Sequence, residues 1–527
     1  MKSGGIFFAA SVALLISFSS CATREGIKAI EEKQYYSEQY RPQFHFTPDS
    51  MWMNDPNGMV YYEGEYHLFY QHHPHSNVWG PMHWGHAIST DLVHWEHLPI
   101  ALYPDSLGAI FSGSAVIDWN NSSGLGTGEK PPMVAIFTHH NQKLEKAGSD
   151  LYQYQSIAYS LDKGRTWTKY PGNPVIQNPG IRDFRDPKVS WYEEGQKWIM
   201  VFAAQDRIMF YTSPNLIDWE KESEFLAERA PDEGVWECPD FFPLEYKGEE
   251  KWVLIVSIGD GGPNGGSATK YYIGDFDGKR FTSDDPSVGS RWMDYGKDNY
   301  AGVTWSDIPK EDGRRLFMGW MSNWQYAQAV PTERWRSAMT LPRELQLEFS
   351  EAGYHLISRP ITEISLLRGP QLELTPGTIK GEQAIQSSAG WENALYEIDL
   401  IFKVDTETDP GFEFGFVLEN EAGETVVAGI NPAKEQVFID RSNSGNSSFS
   451  DQFAGRHSAP IQISKDSTIR FHAFLDLSSI ELFLDGGSVV LTELVFPKTP
   501  FRQIKLYSNN GSVELRKGIL HELKGAW

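Results

Sequence analysis

Cysteine is almost absent from the chain: its 527 residues include two, Cys21 and Cys238. That number excludes the small disulfide-rich scaffolds, in which several bridges replace a large hydrophobic core. Cys238 has no clear histidine or asparagine context in the sequence, so it is a poor candidate for a thiol nucleophile. A chain of this length has ample core for two or more domains, and core burial must supply its stability.

Long apolar runs are also missing. The N-terminal run 6–18 is apolar or small, but it is shorter than the roughly 20 residues of a membrane-spanning helix. Lys2 precedes this run and Cys21 follows it closely, so residues 1–21 have the features of a signal peptide. Small residues directly before a cysteine resemble a bacterial lipoprotein signal, which is cleaved so that Cys21 becomes the lipidated first residue. Phe18 stands where leucine is commoner, so a plain secretory signal is the alternative.

The polar segment 22–40 contains several glutamates and is expected to form a tether. These features predict an exported protein that is held to a bacterial membrane, on its periplasmic or cell-surface face. The predicted membrane contact is the N-terminal lipid anchor alone.

Positive charge is scarce, since 46 Lys and Arg stand against 70 Asp and Glu, for a formal net charge of −24. Like-charge repulsion argues against nucleic acid or an anionic membrane surface as the main partner. A neutral ligand such as a sugar meets no such penalty. Aromatic residues are abundant, at 13%, and there are 47 glycines. This composition suits a β-rich protein with many turns and with surfaces that stack on flat ligands.

One pattern recurs five times between residues 41 and 344: a polar or acidic residue precedes two strand-like runs joined by a short polar turn. The units follow one another at roughly 50 to 75 residues, a period that is typical of propellers. The pattern predicts a five-bladed β-propeller over 41–344, with the first strand of each blade lining the central axis. Asp55, Asp186 and Glu237 each lead a unit, so we expect them to meet at one end of that axis.

Residues 345–527 differ from the preceding region in composition and in hydrophobic pattern. Tryptophan, histidine and the Asn/Asp-Pro motifs become rare, and short alternating runs are separated by turn residues. This pattern predicts a β-sandwich. No cluster of catalytic residue types occurs there, so the second domain is expected to support the first or to contact sugar. The whole protein is expected to be a monomer.

The sequence around Asp55 favours a functional role for this residue over a purely structural role in a turn. Pro56 restricts the backbone of Asp55, and Asn57-Gly58 allows a tight turn. For an isolated Asn-Asp-Pro the simpler interpretation would be a turn that starts a strand. Two further carboxylates in similar settings, Asp186 and Glu237, change that judgement.

Three carboxylates flanked by tryptophan at one end of a propeller suit glycoside cleavage. That reaction needs an acid at the leaving oxygen and a second carboxylate at the anomeric carbon. Asp55, held by proline, suits the nucleophile, and the longer Glu237 suits the acid. Asp186 lies beside Arg185, which is expected to keep it ionised, so it suits the binding of sugar hydroxyls.

Several separate motifs resemble glycoside hydrolase family 32, the invertases, inulinases and levanases. They are Pro42–Pro48, Trp52–Gly58, Phe111–Ser114, Arg185–Pro187, Trp236–Asp240 and Gly261–Ser267. The resemblance implies a five-bladed β-propeller plus β-sandwich and retaining hydrolysis of β-fructofuranosidic bonds in fructans or sucrose, with no cofactor. It implies that Asp55 is the nucleophile, Asp186 the transition-state stabiliser and Glu237 the acid/base.

The resemblance also implies the binding site for the terminal fructose and the mode of cleavage. The matching positions are Asn54, Gln71, Trp79, Phe111, Ser112 and Arg185, together with a tryptophan that is either Trp320 or Trp324. The segments 261–267 and 323–327 resemble exo-acting inulinases and levanases more than plant invertases. Release of single fructose units from levan, inulin and, more slowly, sucrose is therefore expected, with an endo-levanase that gives oligofructans as the alternative.

Other classes of function are weaker. The histidines of segment 71–75, with His83 and His86, lack helical spacing and an acidic ligand set, so no metal site is predicted. The glycine-rich segment 259–266 lacks the Gly-Lys-Ser/Thr and following helix of a nucleotide loop. A non-catalytic fructan-binding lipoprotein would be expected to have lost one of the three carboxylates, and all three are present. A fructosyltransferase on the same scaffold differs only in its acceptor and stays open.

Overall fold

The computed structural model describes residues 36–527 except 129, 228–233, 286–290, 386–390, 392, 405–408 and 464–467. The predicted signal peptide with Cys21, and the tether up to residue 35, lie outside the described residues. In the part that is described, no helix has the length and apolar character needed to cross a bilayer. The body of the molecule, 42–527, consists almost wholly of strands.

Five small antiparallel sheets form the blades of a propeller. Blade I contains β1 (Met51–Tyr62), β2 (Glu65–His73), β3 (His83–Ser89) and β4 (Glu96–Leu102). Blade II contains β5 (Ala109–Ile117), β6 (Met133–His140), β7 (Gln153–Ser160) and β8 (Thr168–Lys169), and the short helix α1 (Gln142–Lys146) lies between β6 and β7. Blade III contains β9 (Phe184–Tyr192), β10 (Lys197–Ala204), β11 (Arg207–Ser213) and β12 (Glu220–Phe225).

The last two blades are built in the same way, with short extra strands. Blade IV contains β13 (Trp236–Tyr246), β14 (Glu249–Ile258), β15 (Ala268–Phe276), β16 (Phe281–Ser283) and β17 (Arg291–Trp292). Blade V contains β18 (Tyr300–Thr304), β19 (Arg315–Met321), β21 (Ala338–Met339), β22 (Arg343–Ser350) and β23 (Gly353–Pro360). A further short strand, β20 (Trp335–Arg336), pairs in parallel with β1 and so joins the end of the propeller to its beginning.

The remaining strands form one extended sheet around a second core, rich in phenylalanine and leucine. They are β24 (Arg368–Leu374), β25 (Gly377–Ile385), β26 (Tyr396–Lys403), β27 (Glu413–Glu419), β28 (Thr425–Asn431), β29 (Gln436–Asn443), β30 (Arg456–Pro460), β31 (Thr468–Asp476), β32 (Ser479–Leu484), β33 (Val489–Leu494) and β34 (Gln503–Leu523). Short 3₁₀ helices occupy Thr362–Leu367 and Pro432–Lys434. The prediction of a five-bladed propeller followed by a β-sandwich is confirmed.

The long strand β34 organises the sandwich. Its first half pairs with β25 and β27, and its second half pairs with β24 and β26. Alternating side chains of these strands, such as Phe402, Phe414 and Leu506, point into one buried cluster. The alternation that predicted a sandwich is thus the alternation between core and solvent.

The strand pairing bears on where the first domain ends. The sequence places the boundary between residues 344 and 345, which lies inside β22. Because β22 pairs with β19, and β23 pairs with β22 as far as Pro360, both strands continue blade V. We propose that the propeller domain extends to residue 360.

Buried charges join the two domains. Arg343 of blade V binds Asp294 and also Glu481 of the sandwich, and all three side chains are almost fully buried. Both ring nitrogens of His45 face carboxylate oxygens: Nδ1 lies 2.8 Å from Asp476 Oδ2, and Nε2 lies 2.9 Å from Glu481 Oε1. Burial lowers the pKa of His45, but hydrogen bonds to the two carboxylates outweigh it and raise the pKa to about 9. His45 is therefore a buried cation at neutral pH.

We expect His45 to make the stability of the folded chain depend on alkaline pH. Its pKa is about 9 in the fold against 6.5 for a free histidine. The protonated form therefore contributes fully below pH 6.5, and the contribution is lost as pH rises through about 9. The difference corresponds to a loss on the order of 3 kcal/mol. Denaturant unfolding of wild type and His45→Gln at several values across this pH window measures it.

His45→Gln should have a lower free energy of unfolding than wild type at the acidic end of that pH window. The difference between the two proteins should disappear at the alkaline end. His94→Gln is the matched control, because His94 also pairs with an aspartate, Asp91, but its side chain is half exposed. Parallel pH profiles for wild type and His45→Gln would contradict the role of this histidine.

Candidate active site

The first strand of every blade is irregular near its start. The pairing register shifts within Met53–Val60 of β1, Ile110–Gly113 of β5, Arg185–Lys188 of β9, Glu237–Asp240 of β13 and Tyr300–Val303 of β18. Such bulges re-aim side chains that regular pairing would send to alternate faces. Asp55, Asp186 and Glu237 lie in or beside three of these bulges, and all three line one cavity of about 360 Å³. The prediction that the acids meet at one end of the axis is confirmed.

Asp55 is buried and hydrogen-bonded at both oxygens. The Ser112 hydroxyl donates to Oδ2 at 2.6 Å, and the Asn54 amide donates to Oδ1 at 3.0 Å. Trp52 Nε1 in turn donates to the Asn54 side chain at 2.7 Å. Burial raises the pKa of Asp55, the Ser112 hydrogen bond lowers it, and the charge of Glu237 raises it again. The carboxylate is thus held in one orientation by donors that favour its charged form.

Asp186 has a left-handed backbone, with a φ of 66°. Its amide donates to Thr138 Oγ1 at 3.0 Å, and its Oδ2 accepts the Cys238 amide at 3.0 Å. Burial raises the pKa of Asp186 to about 7, because the opposing charge of Arg185 does not offset desolvation. Arg185 Nε lies 3.8 Å from Asp186 Oδ2, and its charge lowers the pKa of Asp186, so the expected effect of Arg185 is present but offsets only part of the effect of burial.

Arg185 binds Glu237 instead. Its Nε and Nη2 donate to Glu237 Oε1 at 3.2 and 2.9 Å, while its Nη1 donates to Asp183 Oδ1 at 2.7 Å. The Tyr300 hydroxyl donates to the other oxygen of Glu237. The side chain of Glu237 is 23% exposed, against 5% for that of Asp186. Of the three clustered carboxylates, Glu237 therefore has the most exposed side chain, and a cation and a phenol fix both of its oxygens.

Cys238 lies between the two aspartates. Its Sγ is 3.4 Å from Asp55 Oδ2 and 3.6 Å from Asp186 Oδ2. Burial and the three surrounding carboxylates raise the pKa of the Cys238 thiol well above its usual value. The thiol stays protonated and acts as a hydrogen-bond donor, which agrees with the interpretation that it is no nucleophile.

The cavity wall contains most of the residues that the sequence assigns to sugar binding. Those residues are Asn54, Gln71, Trp79, Phe111, Ser112, Arg185 and Trp324. Trp320 is fully buried and is not part of the wall; it packs behind, against Trp52 and Trp324. Of the two tryptophans left open by the sequence, Trp324 is the one placed to contact a ligand.

Histidines in and near the segment 71–75 have structural roles. The ring of His72 donates from Nδ1 to the Trp52 carbonyl at 2.8 Å. The rings of His67 and His86 are buried, with Nδ1 of the former 3.0 Å from Nε2 of the latter. Burial lowers the pKa of His67 to about 4, so it is neutral. Within the described residues, no group of three or more His, Cys, Asp or Glu side chains is arranged to hold a metal ion.

Models of glycosyl hydrolases family 32 match nearly all of the described chain. The N-terminal domain of that family matches residues 45–360 and the C-terminal domain matches residues 363–522. The chain belongs to glycoside hydrolase family 32. It is a glycoside hydrolase, and its three clustered carboxylates lie in the cavity where such a reaction requires them.

Relatives within family 32 cover most of the chain. It is 48% identical to the levanase of Bacillus subtilis over 522 residues, which are 98% of this chain and 75% of that protein. It is 39% identical to an extracellular exo-inulinase of Aspergillus niger over 524 residues, 93% of this chain and 96% of that protein. The crystal structure of an exo-inulinase from Aspergillus awamori superposes with a TM-score of 0.84 at 35% identity, covering 93% of this chain and all of that one.

Several residues of the cavity wall were not found from the sequence. They are Tyr300, Asp183, Tyr152, Gln153, His140 and Glu145. Tyr300 begins β18, the first strand of blade V, so its position at the start of the fifth repeated unit was a usable signal. Asp183 lies two residues before Arg185, so it too could have been found from its position at the start of a repeated unit. The others carry no local signature. His140 ends β6, Gln153 begins β7 directly after Tyr152, and Glu145 lies in α1.

Proposed function

We propose that the protein is a retaining β-fructofuranosidase that hydrolyses fructans and sucrose. The observation that carries this proposal is the convergence of Asp55, Asp186 and Glu237 on one cavity from three different blades. Retaining cleavage needs a nucleophilic carboxylate and a second carboxyl that gives and then takes a proton. The levanase and exo-inulinase relatives support fructans as the substrate class.

Asp55 is proposed as the nucleophile. Its carboxylate forms a bond to the anomeric carbon as the bond from that carbon to the leaving oxygen breaks. The donors Ser112 and Asn54 hold the carboxylate in place and favour its ionised form. Its burial strips away water that would otherwise compete for the negative charge.

Glu237 is proposed as the acid/base. It protonates the leaving oxygen in the first step and takes a proton from water in the second, when water hydrolyses the fructosyl-enzyme. Arg185 and Tyr300 orient its two oxygens. Its greater exposure suits a group that must meet both the leaving sugar and water.

Asp186 is proposed to bind hydroxyls of the fructosyl ring. Its Oδ2 already accepts the Cys238 amide, and its remaining acceptor capacity faces the cavity that it lines. Hydrogen bonds of this kind strengthen as positive charge develops on the ring in the transition state.

We expect Asp55→Asn to abolish hydrolysis of sucrose and levan, with a loss in kcat on the order of 10⁴-fold or more, because no covalent intermediate can form. Glu237→Gln should lose about 10²- to 10⁴-fold on the same substrates. It should lose much less on an aryl fructoside whose leaving group departs without a proton. Steady-state kinetics with the three substrates measures both effects.

Asp150→Asn, at an exposed aspartate outside the cavity, is the matched control and should keep wild-type rates. The thermal unfolding midpoint shows whether each variant is folded. A folded Asp55→Asn protein with a rate near that of wild type would refute the mechanism.

We further propose exo action, with release of single fructose units. The two segments that resemble exo-acting enzymes, 261–267 and 323–327, lie against each other beside the cavity. The side-chain amide of Asn323 donates to the Ser267 carbonyl at 3.2 Å, and the backbone amide of Trp324 donates to the Ser267 hydroxyl at 3.1 Å. These contacts hold Trp324 in the cavity wall, where it supports binding of a terminal sugar.

Early digests of levan and inulin are expected to contain fructose as the only small product, because each binding event removes one terminal unit. Chromatography at low conversion measures this directly. A ladder of oligofructans at the same conversion would instead identify an endo-levanase. Comparison of initial rates on levan, inulin and sucrose then gives the linkage preference.

We also propose that the protein is exported and anchored by a lipid on Cys21. The lipoprotein-like signal supports this, and a relative named as an extracellular exo-inulinase supports export. Cys21→Ser should move the enzyme from the membrane fraction to the soluble fraction, since the variant has no residue to acylate. Membrane association equal to that of wild type would refute the anchor.

A further inference from the structure

Trp324 of the cavity wall lies in an irregular segment. Residues 322–334 are within the described part of the chain and connect β19 to β20 without forming a strand. The ring of Trp324 lines the cavity that holds the three carboxylates, and it stacks on the ring of Trp52 with centroids 6.0 Å apart. Because the pairing of strands does not fix such a segment, the position of this ring depends on contacts made by its neighbours in the chain.

Asn323, directly before Trp324, is fixed within the propeller. Its side-chain amide donates to the carbonyls of Lys297 and Ser267 at 2.9 and 3.2 Å. Its Oδ1 lies so close to Gly266 that a Cβ on that glycine would be 2.3 Å away. Asn323 is fully buried, so these contacts fix the chain on the N-terminal side of Trp324.

Tyr326, two residues after Trp324, is fixed by charged groups. Its hydroxyl donates to Asp298 Oδ1 at 2.7 Å and accepts a hydrogen bond from Arg441 Nη2 at 2.9 Å. Arg441 belongs to β29 of the sandwich, so this contact crosses the boundary between the domains. Burial raises the pKa of the Tyr326 hydroxyl well above its usual value, which keeps the phenol protonated and able to donate.

The guanidinium of Arg441 is itself held firmly. Its Nε donates to the Phe453 carbonyl at 2.8 Å, and its Nη1 pairs with Asp298 and, at 2.9 Å, with Glu493. The side chains of this ion cluster are fully buried. Because a guanidinium presents its donors in a rigid planar fork, these contacts set the direction of the Nη2 donor toward Tyr326. In a low-dielectric interior, such a hydrogen bond is strong and is costly to leave unmade.

Gln325 adds a second connection to the sandwich. Its side-chain oxygen accepts a hydrogen bond from Lys297 Nζ at 2.8 Å. The same ammonium donates to the Gln452 carbonyl, also at 2.8 Å, and Gln452 lies between β29 and β30. Both residues that follow Trp324 are therefore tied to the sandwich, one through Lys297 and the other by Arg441.

We propose that Arg441 positions Trp324 through Tyr326, so that a residue of the sandwich sets how tightly the cavity binds its substrate. The proposal rests on the proposed function. The described residues that line the cavity include neither Tyr326 nor Arg441, so both are positioning residues that act through the tryptophan. Trp324 offers its ring to the ground state and to the transition state alike. A displaced ring therefore weakens binding without slowing the chemical step.

Tyr326→Phe is the main test, because it removes one hydroxyl and keeps the ring. It should raise KM for sucrose and for levan by about threefold to tenfold at unchanged kcat, as expected when an aromatic contact is partly lost. Arg441→Lys should act in the same direction, since a single ammonium keeps the charge beside Asp298 but cannot reproduce the guanidinium fork. Steady-state kinetics measures both effects, and Tyr326→Phe decides alone if Arg441→Lys does not fold.

Tyr271→Phe is the matched control. Tyr271 is another buried tyrosine, and its hydroxyl accepts the Leu356 amide at 3.2 Å. It belongs to β15 and lies outside the described wall of the cavity. This variant should also lower the thermal unfolding midpoint, but it should leave KM unchanged. A rise of KM in Tyr326→Phe alone therefore reports the position of Trp324 rather than the stability of the fold.

A double-mutant cycle shows whether the effect passes through Trp324. Trp324→Ala by itself should raise KM by at least as much as Tyr326→Phe does. Addition of Tyr326→Phe or Arg441→Lys to Trp324→Ala should then raise KM no further, because the side chain that they position is gone. Independent effects on KM would multiply instead.

The outcomes separate this proposal from the proposed function. The positioning role is overturned if the folded variants have the KM of wild type, if they lower kcat at unchanged KM, or if their effects multiply with that of Trp324→Ala. In each of these cases wild type still hydrolyses sucrose, so the proposed function stands. If wild type hydrolyses no fructoside, the proposed function fails and the positioning role fails with it.

Discussion

The site depends on one constraint of strand geometry, the bulge near the start of each blade's first strand. Regular pairing sends successive side chains to the two faces of a blade, whereas a bulge re-aims the side chains beside it. Proline follows Asp55, Asp186 and Cys238 within the bulges. It is tolerated there because a bulge interrupts the ladder, so the amide hydrogen that proline lacks is not needed. The left-handed backbones of Asp186 and Cys238 show strain at these points. Local strain is the cost of aiming three acids at one cavity.

Three carboxylates placed close together repel one another, and each of them has different neighbouring groups that offset this repulsion. Arg185 supplies the positive charge, and its hydrogen bonds go to Glu237 and Asp183 rather than to Asp186. Asp55 receives a hydroxyl and an amide, and the Cys238 thiol lies between the two aspartates. Because the surroundings of a carboxyl group set its pKa, carboxyls with different neighbours can take different roles in one site. The pKa of Asp186, raised to about 7 by burial, is one result of that division.

The sandwich supports the site through buried charge. Arg441 of β29 binds Asp298 of the propeller and donates to the Tyr326 hydroxyl at 2.9 Å. Tyr326 belongs to the same segment as Trp324, the tryptophan in the cavity wall. Buried ion pairs add little net stability over an apolar contact, but removing one partner is costly, so they fix the arrangement of the domains. This agrees with the expectation that the second domain supports the first.

The sequence alone determined the blades, the sandwich, the three acids and most of the cavity wall. These features are encoded by neighbouring residues: alternation, turn residues and an acid followed closely by proline. Only the tertiary structure decided the choice of Trp324 over Trp320, the pairing of Arg185 with Glu237 and the part played by Tyr300. Each of these depends on burial or on contacts between distant parts of the chain, such as Tyr300 with Glu237, 63 residues apart. Desolvation and inter-blade distance are properties of the assembled propeller, and no local pattern specifies them.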